Sequence, residues 1–88
     1  MADFHSMAED VRTLINAKLR DSNRPQYMLE RQLHAILDEI DKMDRIRDAG
    51  QFYPYYPKGI SESWNCLDPL GLKLSELLDA YRRLYTGL

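Results

Sequence analysis

Asp68-Pro69-Leu70-Gly71-Leu72-Lys73-Leu74-Ser75-Glu76-Leu77-Leu78-Asp79-Ala80-Tyr81-Arg82-Arg83-Leu84-Tyr85-Thr86 is the most strongly periodic stretch of the chain. Its apolar positions 70, 74, 77, 81 and 84, continued by Leu88 just beyond it, alternate steps of four and three, which keeps them on one side of a helix. Aspartate is a good N-cap and proline a good first helical residue, so Asp68-Pro69 marks the start. Leu67 and Leu72 stand where a hydrophobic staple would form. Gly71 falls in the first turn, where fraying relieves part of a cost of up to about 1 kcal/mol. The stretch predicts a helix over 69–86.

Reading outward from this helix, two more segments have the same period. Leu29, Leu33, Ile36, Ile40 and Met43 form a heptad seam. Leu37 and Ile46 widen it into a face. Pro25 suits the first helical position and Gly50 a left-handed cap, so this helix is expected over 25–49. Further back, Met7, Val11, Leu14, Ile15 and Leu19 form a third stripe. Ser6 and Glu9 have the spacing of a capping box, and Asp21-Ser22-Asn23 favours a turn, which gives a helix over 7–20.

Residues 51–67 are of another kind. They hold five of the nine aromatics, two of the four prolines and the only tryptophan. Pro54 and Pro57 argue against a regular helix, although Ser61 to Asn65 could form one short turn. The fold class that follows is all-α: one domain over 1–88, a small antiparallel three-helix bundle with this aromatic and proline-rich segment packed across one side.

Composition narrows the function. Of 88 residues, 44% are hydrophobic and 30% charged, the balance of a globular domain rather than a disordered one. No apolar run approaches the roughly 20 residues that span a bilayer, and the first residues lack a signal-peptide pattern. A single cysteine excludes an internal disulfide framework, so a reducing, cytoplasmic setting is expected. The net charge of −2 provides no global positive field for nucleic acid.

Chemistry-bearing motifs are absent: there is no G-x-S-x-G, no phosphate-cradling glycine loop and no H-E-x-x-H. Glu30, His34 and Asp38 share a helical face and could hold a divalent ion, but a solvated face explains them better. Cys66 reads as a buried structural thiol, since nothing around it marks an activated one. The expectation is no catalytic residue, no cofactor and no metal.

The aromatic segment is what remains. Tyrosine and tryptophan are enriched at binding hot spots, which makes Tyr53, Tyr55, Tyr56 and Trp64 the candidate partner-binding residues. Pro54-Tyr55-Tyr56-Pro57 also fits the minimal P-x-x-P pattern of polyproline ligands. In extended chain, neighbours point to opposite sides, so Tyr53 and Tyr55 are expected outward and Phe52 and Tyr56 inward. The sequence therefore points to a small non-enzymatic protein–protein interaction module. It would bind a partner, or a second copy of itself, through segment 52–64 and adjacent helix faces. The alternative is a nucleic-acid-binding regulator using the basic edge from Arg12 to Arg24. A metal- or thiol-based activity at His34 or Cys66 ranks third.

Overall fold

A computed structural model describes residues 3–86. They form four helices: α1 (Phe4–Arg20), α2 (Glu30–Ile46), α3 (Tyr56–Ser63) and α4 (Pro69–Tyr85). The all-α class holds, but the three-helix count is corrected to four. α1 packs against α2 and α4, and the short α3 packs against the same two helices as α1 does.

α4 is built as its sequence implies. Asp68 accepts from the amides of Leu70 and Gly71, and Leu70, Leu74, Leu77 and Tyr81 are buried. Two details differ. The seam turns inward through Ala80, leaving Leu84 exposed, and Leu88 lies outside the described residues. Leu67 and Leu72 are both exposed, so the staple does not close.

The boundaries of α1 and α2 shift for local reasons. α1 begins at Phe4, because Asp3 accepts from the Ser6 amide and caps the helix. Ser6 is therefore inside the first turn, and the Ser6/Glu9 capping box does not form. The early start buries Phe4 beside the rings of Tyr81 and Tyr85, 5.6 and 5.4 Å away. Leu14, placed on the apolar stripe, is exposed.

α2 begins at Glu30, not Pro25. Residues 25–29 turn instead, with the Met28 amide donating to the Pro25 carbonyl at 3.0 Å. The Arg24 guanidinium donates to the carbonyls of Met28 and Leu19, stitching the turn to the end of α1. At its other end α2 stops at Ile46, because Arg47 takes the left-handed conformation at φ 52°. A side chain makes that conformation costly. Here its Nε and Nη2 donate to the carbonyl and carboxylate of Asp44, which offsets the cost. The expected cap at Gly50 is not used, since no glycine among the described residues has a positive φ.

The proline-rich segment differs most from expectation, since it contains α3. Pro57 lies in the first turn of that helix, where a missing amide N–H is harmless. Long-range bonds hold it: the Tyr56 hydroxyl donates to the Leu74 carbonyl at 2.9 Å, and Trp64 Nε1 to Gln32 Oε1 at 2.9 Å. α3 passes close to α2 at Gly59, where a Cβ would stand 3.0 Å from Gln32 Nε2 and make that side chain shift. The core runs from Phe4 and Ile15 through Leu33, Ile36 and Ile40 to Leu74, Leu77 and Tyr81. No helix of the described residues is long and apolar enough to cross a membrane.

Candidate interaction surface

The four aromatics picked out by sequence divide into two pairs. Tyr56 and Trp64 are buried, at 5% and 6% exposure, and both use their polar atoms inside the protein. They hold α3 in place and expose little surface, although both also line the groove between α3 and α4. Burial raises the Tyr56 phenol far above its ordinary range, so it stays a neutral donor to Leu74. Tyr53 and Tyr55 face outward, at 46% and 84% exposure, and Phe52 is half-buried.

Tyr55 is held firmly although its ring is exposed. Its backbone N–H donates to the Glu39 carboxylate on α2. Burial raises the Glu39 pKa, and the amides of Tyr55 and Tyr56 pull the other way. The backbone at Tyr55 is right-handed helical, at φ −96° and ψ −11°, and Tyr56 and Pro57 are in α3. A polyproline II reading of Pro54 to Pro57 is therefore overturned.

Beyond Tyr56, α3 and α4 enclose a groove of about 270 Å³. Pro57, Ile60 and Trp64 line one wall, Leu72, Ser75 and Leu78 the other, and Gly71 lies between them. Cys66, expected to be buried, is exposed and lines the end where the two helices connect. None of the lining side chains carries a charge. Beside the groove, Leu67 is 76% exposed. Its amide donates to Asn65 Oδ1 at 2.8 Å, and the Asp68 amide donates to the Asn65 carbonyl at 3.0 Å, so the turn that carries it is fixed at both ends. The sequence hid this feature, because Leu67 before an N-cap reads as half of a staple.

The basic edge is partly consumed by the fold. Arg12 pairs with Glu9 on its own helix and with Asp41 and Asp44 of α2, at 3.6 and 3.4 Å. Arg24 is occupied with backbone carbonyls. Lys18 and Arg20 stay in the last turn of α1, where they oppose its negative end.

The three side chains considered for a metal do not converge. His34 Nε2 stands 3.8 Å from Glu30, while Asp38 turns to Lys42 at 3.2 Å. Among the described residues, His5, Glu9 and Asp44 do bring ligand atoms within 4.8 Å of one another. The Arg12 guanidinium lies in that cluster and supplies its positive charge, so the arrangement is an ion-pair network tying α1 to α2. Periodicity carries no trace of it, because His5 and Asp44 are on different helices.

The surface can thus offer two exposed tyrosines, one of them anchored through its backbone to Glu39, and an uncharged groove beside an exposed leucine. No protein family, curated protein or solved structure matches the chain.

Proposed function

We propose that the protein is a non-enzymatic interaction module whose contact surface is built on α3 and the residues that flank it. The observation that carries this reading is Tyr55. A phenol ring left 84% exposed on a backbone anchored to Glu39 is a large contact group carried on a fixed base. Tyrosine offers much area for little conformational entropy, which is why it recurs at hot spots. Tyr53, and Leu72 in the groove wall, extend the same apolar character. Nucleic-acid binding has less support, since Arg12 and Arg24 are engaged within the fold.

Tyr55→Ala tests the proposal. Thermal melting should stay nearly unchanged, because the ring contributes little to the core. Association, with a partner or between copies, should weaken by about 2 kcal/mol or more. Strong destabilisation with association intact would show that the segment only covers the core.

A further inference from the structure

We propose that Glu39 is a proton-operated latch on α3, and that through α3 it sets how firmly the Tyr55 contact group is held. Its meaning for function rests on the interaction reading above, since it names a regulation of that surface. The latch itself stands on the contacts that hold α3.

α3 cannot secure its own start. The first amides of a helix need partners from outside it. Tyr55, at the N-cap position, makes no side-chain cap bond, and Pro57 in the first turn has no N–H. The Glu39 carboxylate of α2 takes over this role by accepting from the Tyr55 amide. The rest of α3 adds little hold, since Tyr56 is its only buried residue. Its other attachments are the Tyr56 hydroxyl on Leu74 and, at the far end, the Trp64 indole on Gln32. A helix of weak formers docked by so few groups opens more easily than the long helices around it.

The charge of Glu39 bears directly on that docking. Asp44, on the same helix, is surrounded by His5, Arg12 and Arg47. Glu39 is half-buried as well, but Lys42, the nearest cation in sequence, reaches Asp38 instead, at 3.2 Å. The anion is therefore desolvated without a paired charge, which favours the neutral form. Lys42 and Asp38 act on it from its own helix. Its charge is felt by the Tyr56 phenol of α3, on which Tyr53 and Asp79 of α4 also act. Burial, the largest influence, raises the Glu39 pKa above its ordinary 4.5, while the Tyr55 and Tyr56 amides and Lys42 lower it less. The neutral carboxyl keeps an oxygen that can accept from Tyr55. Undocking of α3 returns the group to water. A value raised in the docked state makes docking strongest below the ordinary pKa and weaker as pH rises through the docked one.

Nuclear magnetic resonance should show the Tyr55 and Tyr56 amide shifts titrating together, with a midpoint above 4.5. Acrylamide quenching of Trp64, the only tryptophan, should increase from about pH 4 to about pH 8 as α3 loosens. Glu39→Gln keeps an acceptor oxygen without the charge, so both amides should stop titrating and quenching should stay at its low acid level. Asp38→Asn removes a like charge and frees Lys42, and should lower the midpoint. Amides that do not titrate, a curve that persists in Glu39→Gln, or quenching that falls as pH rises overturns the inference. None of these measurements needs a partner. A flat titration therefore sinks the latch and spares the interaction reading. A clear titration, with association indifferent to Tyr55→Ala, removes that reading and leaves the latch.

Discussion

The Tyr27 hydroxyl donates to Asp68 Oδ2 at 2.6 Å, while Oδ1 of the same carboxylate accepts from the amides of Leu70 and Gly71. One buried aspartate thus caps α4 and anchors the connection between α1 and α2 to it. Asp68→Ala should cost about 1–2 kcal/mol from the cap alone, read as a lower urea midpoint. The bond to Asp68, then burial, raises the Tyr27 pKa above its unfolded value of 10.0. Its contribution is therefore complete below that value and lost as pH rises through the folded one. Asp68→Ala should abolish this alkaline dependence, and a spectrophotometric titration of tyrosine checks it.

Leu77 has no exposed surface and lies at the centre of the α4 seam. Leu77→Ala should destabilise by about 2–5 kcal/mol, because it removes buried carbons and leaves a cavity. Chemical denaturation measures this directly. A shift of only a few tenths would mean that α4 faces the core differently.

α4 and Leu77 were legible because their signals are local. An aspartate–proline start and a repeat of four and three lie within one element, and tertiary packing only confirms them. The start of α2 was not legible, since Pro25 is as acceptable in the turn that the Arg24 side chain ties down. α3 was hidden for a stronger reason. Pro57, Gly59, Ser61 and Ser63 are poor or indifferent helix formers, and the helix exists because Tyr56 and Trp64 find partners at Leu74 and Gln32. The outward facing of Tyr53 and Tyr55 and the inward facing of Tyr56 were legible, but Trp64 could be assigned to the interior only once its partner Gln32 was in place.

Asp44 gathers His5, Arg12 and Arg47. Burial works to raise its pKa, but hydrogen bonds from His5, Arg47 and Arg12 outweigh it and hold the carboxyl below the ordinary 3.8. A depressed folded pKa gives stability that is complete above the unfolded value and lost as pH falls through the folded one. Asp44→Asn should therefore melt lower than wild type at neutral pH, and the gap should close as the pH falls below the ordinary carboxylate range. A constant gap across that range would assign the effect to packing rather than charge.

His34 is on the open side of α2, with a side chain 61% exposed. His34→Ala should change neither the circular dichroism spectrum nor the metal content of the purified protein. Zinc or iron lost in the variant, measured by elemental analysis, would reinstate the ion site first considered for Glu30, His34 and Asp38.

The packing of Phe4 against Tyr81 and Tyr85 joins the first helix of the described residues to the last. A contact between residues so far apart in sequence closes a long loop, whose entropy is spent before the contact repays it. The end of α4 thus depends for its aromatic cover on a side chain that its own periodicity does not mention.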